Sequence, residues 1–262
     1  MQTENSQMGE LAMLIFKSAL VTMFFCVIMG GIRIYFGTNN FLSDVGGISI
    51  FASVFGTLYG IIIALVLLEV WSQFNKTSER INTEALALEK LFGLIVYFRD
   101  SSLEKRMKSV IFRYLNIIIK DNFQKLGSGE RSSESGKLFR EISSVIKDIK
   151  FNDDHDSTIF SEVITHYIRL AEIRSERIAQ SLVRLPLPLR SFLYISSLLM
   201  CLTFVVMPFS NMYYGFITSG TIIFLIVMII QIINDLDNPF IGFWKVDVEP
   251  FVRAKKHIEE DY

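Results

Sequence analysis

The second long apolar stretch of the chain, residues 48–71, contains the polar residues best suited to contact an ion. Ser49, Ser53 and Thr57 follow one another at intervals of four residues. Hydroxyl groups at this spacing lie near one face of a helix, where they can bond to a neighbouring helix or to hydrated ions. The pattern allows two interpretations: a tight helix contact within one subunit, or a pore lined by copies of this helix.

A row of small residues accompanies these hydroxyl groups. It consists of Ala52, Gly56, Gly60 and Ala64, again at intervals of four. Small residues at this spacing let two helices approach closely in lipid, where packing drives helix association. We therefore predict that this row packs against another helix, either in the same subunit or in a second copy.

Two charged residues lie near the ends of apolar stretches. Glu69 is close to the end of the second stretch, and Arg33 is close to the end of the first. Charged side chains at membrane depth are costly and usually face protein or water. Glu69 is predicted to form a charged ring at the inner mouth of a pore, or to lie among the lipid headgroups. Arg33 is predicted to draw anions to an outer vestibule, or to pair with Asp44.

Arginines recur along one predicted helix of the middle segment. They are Arg169, Arg174, Arg177 and Arg184. Because residues three and seven apart share a helix face, Arg174, Arg177 and Arg184 are expected to lie together. They form either a solvated face paired with Glu172 and Glu176, or a positive lining of a cytoplasmic vestibule that attracts anions.

The rest of the sequence offers no further chemical site. Residues 152–156 look like a metal loop but lack the glycine and distal glutamate of an EF-hand, so a solvated loop with a helix cap at Asp156 or Ser157 is predicted. The three histidines are scattered, and no nucleophile–base pair or phosphate loop is visible. We therefore predict no metal, no cofactor and no enzymatic activity. The net charge of −1 gives no reason to expect nucleic acid as a partner.

Four apolar stretches separated by charged segments must position these residues. They are residues 11–36, 48–71, 192–209 and 213–233. A helix needs about 20 apolar residues to cross the core of a bilayer. The sequence thus predicts an all-α membrane protein with four transmembrane helices and the lipid bilayer as a partner.

The distribution of lysine and arginine predicts the orientation of these helices. Loops 37–47 and 210–212 contain neither residue, whereas Lys76, Arg80, Arg184 and Arg190 flank the middle segment. Positive charge favours the cytoplasmic side, so both termini and the middle segment are predicted to be cytoplasmic. The predicted regions are helices 1 and 2 (residues 1–71), a helical cytoplasmic domain continuous with helix 2 (72–187), helices 3 and 4 (188–234) and a cytoplasmic tail (235–262).

A helical period continues beyond the second apolar stretch. The predicted seam contains Trp71, Phe74, Ser78, Ile81, Ala85, Leu88, Phe92 and Ile95. It predicts one long helix that leaves the bilayer. A second helix, capped by Ser101 or Ser102, should bury Leu103, Met107, Val110, Ile111, Tyr114, Leu115 and Ile118. A loop at 127–133, helices at 137–150 and 158–184, and a break at Pro186 and Pro188 complete the expected domain.

Short motifs give the chain a resemblance to a known family. Gly60, Trp71, Gln73 and Phe74 match the pore helix of the bestrophins, and Asn238, Pro239, Phe240 and Gly242 match a motif that follows their fourth helix. The layout of two spans, a helical block and two further spans is also similar. The chain most resembles a bacterial family of bestrophin-like membrane proteins, with further matches at Glu84, Ala85, Arg174, Arg177, Leu185 and Pro186.

The resemblance implies a homo-oligomeric ion channel, a pentamer, in the bacterial inner membrane. The second helix would line the pore, with Ser53, Thr57 and Ile61 at the narrow part, and inorganic anions would pass. Two departures matter. Glu69 replaces the arginine of the bestrophin pore helix, which leaves cations open as the permeant ion. The acidic run that follows the last motif in bestrophins is reduced to Asp247 and Glu249, so calcium gating is not expected.

Two other functions remain open from the sequence. One is a non-conducting four-helix scaffold or signalling module whose cytoplasmic helices bind a partner. The other is a proton-driven stator-like unit, which shares the layout of two plus two spans. A stator needs a buried carboxylate, and the third and fourth stretches have none before Asp235.

Overall fold

A computed structural model describes residues 2–36, 45–128, 130, 132–151 and 154–260. The helices are α1 (Gln2–Phe36), α2 (Val45–Val96), α3 (Ser101–Ile117), α4 (Phe123–Gly127), α5 (Ser133–Lys147), α6 (Asp154–Gln180), α7 (Leu187–Val206), α8 (Met212–Leu236) and α9 (Glu249–Glu260). A π-helical turn, Ile118–Asn122, joins α3 to α4. No strand occurs in these ranges, so the all-α prediction is confirmed.

Among the described residues, four helices are long and apolar enough to cross a membrane. They lie at Met8–Tyr35, Gly46–Val96, Leu187–Val206 and Met212–Leu236, which confirms the four predicted stretches. The third begins five residues before the predicted position 192, because Pro186 is the N-cap and Pro188 occupies the first turn of α7. Proline lacks the backbone N–H that a first-turn residue would leave unpaired, so it starts this helix rather than interrupting it.

The chain divides into two compact units. The first unit contains Met1–Ser72 and Arg184–Asp237, and the second contains Gln73–Val183 and Asn238–Tyr262. Helix α2 contributes residues to both units without a break in its helical backbone. That the first unit is embedded in a bilayer and the second is cytoplasmic remains a prediction.

In the first unit, α1 packs along α8, and α7 contacts both. Polar groups pair between helices of this unit: the Gln231 side-chain amide on α8 donates to the Ser18 hydroxyl oxygen on α1 at 2.7 Å, and the Tyr59 hydroxyl on α2 lies 2.8 Å from the Ser197 hydroxyl on α7. Small residues also meet, since a Cβ atom on Gly220 would lie 3.5 Å from Cys26 Sγ. Such pairs contribute to helix association in lipid. The hydrophobic effect does not drive this association, because lipid tails are as apolar as the helix surfaces.

The second unit encloses an apolar core built around the distal half of α2. Ile81, Ala85, Leu88, Phe92 and Ile95 of the predicted seam are buried there, and Phe74 packs against the core while half-buried. The seam does not extend to its predicted start, because the Trp71 side chain is 46% exposed and belongs to the first unit.

Helix α3 follows the predicted period but not the predicted cap. All seven predicted core positions, from Leu103 to Ile118, are buried. The cap is Asp100, whose carboxylate accepts hydrogen bonds from the backbone N–H groups of Ser102 and Leu103. An aspartate in extended backbone conformation is an N-cap as favourable as serine, and here it comes first in the sequence.

The next two helices begin earlier than predicted. Helix α5 starts at Ser133, inside the predicted loop, because the Ser132 hydroxyl accepts from the Ser135 N–H. Helix α6 starts at Asp154, so Asp156 and Ser157 lie within its first turn and are not its caps. Residues 152 and 153 of the predicted loop lie outside the described residues.

The C-terminal helix α9 is part of the second unit. Phe251, Ala254 and Ile258 point into the apolar core, and α9 contacts α3 and the π-helical turn. On its outer side, Lys255 Nζ donates to Asn116 Oδ1 at 3.0 Å. The segment predicted as a tail is therefore packed structure from Asn238 onward.

Candidate functional site

One side of α2 in the first unit is covered by other helices and the opposite side is not. The covered stripe consists of Tyr59, Ile63, Val66 and Val70, which are all buried. At about 100° per residue, Thr57 and Ile61 lie on the opposite side of the helix. Both are exposed, Ile61 to 54%. We call the uncovered side, with Ser53, Thr57, Ile61 and Ala64, the open face of α2.

The other predicted pore residues flank the open face. Ser49 and Glu69 are exposed, but neither lies directly opposite the covered stripe. Each is turned by about 80–110° around the helix axis from that position. Thr57 Oγ1 donates to the Ser53 carbonyl oxygen at 2.8 Å. The open face therefore centres on Thr57 and Ile61, with Ser49 and Glu69 at its two ends.

The row of small residues splits between two environments. Ala52 and Gly56 are half-buried, and a Cβ atom on Gly56 would lie 3.0 Å from Met200 Cε on α7. Gly60 and Ala64 are exposed, and a Cβ atom on Gly60 would meet nothing within 4 Å. Gly56 thus serves a contact within the subunit, whereas Gly60 leaves room beside the open face and Ala64 presents a small side chain on it.

Arg33 is held by the connection between α7 and α8. Its guanidinium donates to the Met207 carbonyl oxygen at 3.2 Å and lies 5.7 Å from the Phe209 ring centroid and 5.6 Å from that of Phe216. The predicted partner Asp44 lies outside the described residues. These contacts assign Arg33 to the packing of α1 against α8.

Asp237 joins the start of α7 to the end of α8. Its carboxylate accepts from the Leu185 backbone N–H at 2.7 Å and from the Arg190 guanidinium, and its side chain is almost fully buried. Arg184 lies nearby: burial lowers the pKa of its guanidinium, Asp237 opposes that effect, and Arg190 adds to it. No contact or role of Asp237 was predicted from the sequence.

The predicted motif at Asn238–Gly242 has a structural role in the second unit. The Asn238 side-chain amide donates to the Gly127 carbonyl oxygen at 3.0 Å, and the Phe240 ring lies 5.4 Å from that of Phe123. The Pro239 carbonyl oxygen accepts from the Val246 N–H at 2.8 Å. Gly242 has a φ of 115°, a conformation that favours glycine.

The two predicted vestibule arginines are in different environments. Arg174 is half-buried, with its guanidinium 4.9 Å from the Phe139 ring centroid. Arg177 has 0% of its surface exposed and pairs with Glu84. A fully buried side chain cannot line a water-filled vestibule, so the prediction is wrong for Arg177.

Glu84, Tyr114 and Arg177 form a buried network that the sequence did not reveal. Arg177 donates to the two Glu84 oxygens at 2.5 and 3.2 Å, and the Tyr114 hydroxyl donates to the same carboxylate at 2.6 Å. Burial, followed by the Glu84 carboxylate, raises the pKa of the Tyr114 hydroxyl. Burial, the largest effect, lowers the pKa of the Arg177 guanidinium, but Glu84 and Tyr114 together outweigh it and the pKa is raised. One sequence signal of this burial is the position of Glu84 directly before Ala85, within the apolar seam of α2.

Metal ligands do not cluster in the part of the chain that the structure describes: no group of three or more His, Cys, Asp or Glu side chains could hold an ion. Asp156, predicted to lie in a solvated loop or to cap the next helix, is buried in the first turn of α6.

Comparisons with known proteins place this architecture among bestrophins. A family model described as a Bestrophin-like domain matches residues 19–251. A crystal structure of a bacterial bestrophin homologue from Klebsiella pneumoniae, carrying one substitution, aligns with a TM-score of 0.74 and 11% identity over 94% of this chain and 99% of that one. Another crystal structure of a bestrophin homologue from Klebsiella pneumoniae gives a TM-score of 0.69 and 11% identity over 96% and 98%.

A crystal structure of a protein described only as a membrane protein, again with one substitution, gives a TM-score of 0.71 and 11% identity over 94% of this chain and 97% of that one. Identities this low show a shared fold alone. A comparison with the sequences of curated proteins found no match.

Proposed function

Because the chain belongs to the bestrophin-like family, we propose that it forms an oligomeric ion channel in which α2 lines a central pore. The open face of α2 carries this proposal. Thr57 and Ile61 lie opposite the covered stripe and are exposed within one subunit. A membrane helix with an uncovered hydroxyl-bearing face gains contacts when copies of it surround a water-filled axis.

The surroundings of the open face favour association of several copies. Gly60 and Ala64 provide a small surface on which a neighbouring helix can approach closely. In this proposal Ser53, Thr57 and Ile61 line the narrow part of the pore, and Glu69 lies at its inner mouth. The resemblance to bestrophins supports five subunits. It also supports an inner-membrane location, and the distribution of lysine and arginine supports a cytoplasmic position for both termini and the second unit.

The features that bear on the identity of the permeant ion point in opposite directions. The resemblance implies anions, and Arg174 in a cytoplasmic vestibule would attract them. Glu69 favours cations, and Thr57 acts in the same direction because its hydroxyl proton is donated to the Ser53 carbonyl and its oxygen remains an acceptor. We propose anion conduction, with the reversal potential as the deciding measurement.

Purified protein in planar bilayers tests the proposal. We expect single-channel current under a chloride gradient, and a severalfold lower unitary conductance in Thr57→Trp and Ile61→Trp, because bulky side chains would fill the narrow part. The matched control is Met23→Trp, since Met23 is exposed on α1 and lies outside the proposed pore. Native mass spectrometry on the same samples gives the number of subunits.

Three results would overturn the proposal. A folded protein that passes no current would favour the alternative of a non-conducting scaffold or signalling module. A monomer in native mass spectrometry would remove the axial pore. A current that Thr57→Trp and Ile61→Trp leave unchanged would show that the open face does not line the conducting path.

A further inference from the structure

Three helices of the second unit meet at one carboxylate. Glu84 on α2 accepts hydrogen bonds from Tyr114 on α3 and from Arg177 on α6. All three residues have 0% of their surface exposed. We call this set the Glu84 network.

The Glu84 network lies in an apolar core, which makes it costly. Neighbouring core residues along the same helices are Ile81, Leu88, Met107, Ile111 and Ile173. One guanidinium nitrogen of Arg177, Nη1, is buried and finds no hydrogen-bond partner among the described residues. A buried ion pair is often no more stable than apolar side chains of similar volume in its place. Stability is therefore a weak explanation for placing this pair in the core.

A better explanation is that the network sets the register of α2 against the neighbouring helices, because the apolar residues alone specify this register poorly. The buried seam of α2 repeats every three or four residues, so sliding α2 by one turn, about 5.4 Å, would replace one apolar residue with another. Glu84 interrupts that apolar pattern with a charged side chain. The same slide would separate it from Arg177 and Tyr114 and leave buried charges unpaired, which is strongly unfavourable.

A second ion pair between the same two helices has the reverse polarity. Arg80 Nη1 on α2 lies 3.1 Å from Glu176 Oε2 on α6, and both side chains are about half-exposed. Along α2 the positive charge precedes the negative one, and along α6 the order is opposite. This pattern matches one register, but solvent screening weakens the Arg80–Glu176 pair, so the buried pair dominates.

We propose that Glu84, Arg177 and Tyr114 are positioning residues that fix the register and rotation of α2. No glycine or proline interrupts α2 between Gly60 and Gly93. Glu84 and Glu69 therefore belong to the same helix, Val45–Val96. Turning the helix by one residue position would rotate the open face by about 100°. This inference rests on the proposed pore for its functional consequence, but not for its structural one.

Distances between spin labels within the second unit test the structural half. Asn82→Cys on α2 and Ser175→Cys on α6 provide exposed labelling sites, with Cys26→Ser and Cys201→Ser removing the native thiols. Dilution with unlabelled protein restricts the signal to one subunit. The test variant is the apolar pair Glu84→Met with Arg177→Met. The matched control is Arg80→Gln with Glu176→Gln, which removes the exposed pair between the same helices.

We expect one narrow distance in the parent and the control, and a broadened or displaced distribution in the apolar pair. The apolar pair should melt no lower than the parent, yet its current per folded oligomer should fall severalfold. A merely structural pair would not separate stability from function in this way. An unchanged narrow distance in the apolar pair would overturn the proposal.

Two further results keep the inference separable from the channel proposal. If the parent passes no current, the proposed function fails, while the label distances still decide the register. If the apolar pair does not fold, Glu84→Gln takes its place, since glutamine keeps the side-chain shape and removes the charge. A broadened distance in Glu84→Gln supports the proposal, and an unchanged one overturns it.

Discussion

The Asp237 carboxylate accepts a hydrogen bond at 2.7 Å from the backbone N–H of Leu185, 52 residues earlier in the chain. It also binds the Arg190 guanidinium. Leu185 belongs to the short motif before the third membrane helix, and Asp237 directly precedes the motif that begins at Asn238. Asp237 therefore ties the start of α7 to the end of α8 within the first unit.

Removing the Asp237 carboxylate should destabilise the first unit. In Asp237→Ala the buried Leu185 N–H loses its acceptor and Arg190 loses its charged partner, so we expect a loss of about 1–3 kcal/mol in unfolding free energy. Asp237→Asn is the matched comparison, because its amide oxygen still accepts from Leu185. Denaturant titration in detergent measures both. Equal stability of the alanine variant and the parent would show that the contact contributes nothing.

The sequence predicted those parts of the fold that depend on a regular pattern. The period of α3 identified Leu103, Met107, Ile111 and the other core positions, because each apolar face must be buried somewhere. The four apolar stretches identified the candidate spans for the same reason. The N-cap of α3 was predicted wrongly. Asp100 and the two predicted serines can each accept the capping hydrogen bond, and Asp100 comes first in the sequence.

Pairings between distant residues could not be predicted in this way. Nothing in a single sequence indicates that Glu84 meets Arg177, 93 residues later, or that Tyr114 joins them. Arg177 was predicted to be solvent-facing because arginine is usually exposed. Its burial depends on a partner supplied by another helix. The spacing of Ser53 and Thr57 predicted that these residues share one face of α2. It could not show which face α7 covers and which stays exposed.

Breaking the Glu84 network from one side should be far more damaging than breaking the exposed pair beside it. Glu84→Ala leaves the Arg177 guanidinium buried without its counter-charge, and we expect a loss of about 3–5 kcal/mol in unfolding free energy. Glu176→Ala, which removes the exposed partner of Arg80, should cost at most about 1 kcal/mol. Thermal and denaturant unfolding of the two variants, measured side by side, provides the comparison. Similar losses in both would mean that burial of the network has no special energetic weight.

A methyl group at Gly127 should disrupt the docking of the motif that follows α8. A Cβ atom there would overlap with Ile241 Cγ1 and lie 3.2 Å from Phe240 Cβ, so the Ile241 side chain or the segment that carries it must shift. We expect Gly127→Ala to cost about 1–3 kcal/mol, the usual range for overpacking. Gly136→Ala is the control within the same unit. Its Cβ atom would be 3.8 Å from its nearest neighbours, and alanine in a helix is favoured over glycine by about 0.5–1 kcal/mol. A Gly127→Ala variant as stable as Gly136→Ala would contradict the tight contact.

The Tyr114 hydroxyl should make the protein sensitive to alkaline pH. Burial and the Glu84 carboxylate raise its pKa in the folded state, whereas an unfolded tyrosine ionises near pH 10. The contribution of the neutral hydroxyl to stability is therefore complete below about pH 10 and decreases as pH rises toward the folded pKa.

Tyr114→Phe isolates this effect. The stability advantage of the parent over Tyr114→Phe should shrink by up to about 1.4 kcal/mol per pH unit above pH 10, because only the unfolded parent gains by releasing this proton. Denaturant titrations at about pH 8 and pH 11 measure the difference between the two proteins, in which the other tyrosines and the lysines cancel. A pH-independent difference would show that the Tyr114 hydroxyl is not held neutral by its surroundings.

Neutralising Glu69 should change which ions pass. In a ring of subunits the carboxylates at one mouth of a pore concentrate cations and repel anions, and salt screens this effect. We expect Glu69→Gln to move the reversal potential toward the chloride equilibrium potential, with the larger shift at low ionic strength. Glu10→Gln is the control, since Glu10 lies on α1. A reversal potential that Glu69→Gln leaves unchanged at low salt would place this carboxylate among the lipid headgroups, outside the conducting path.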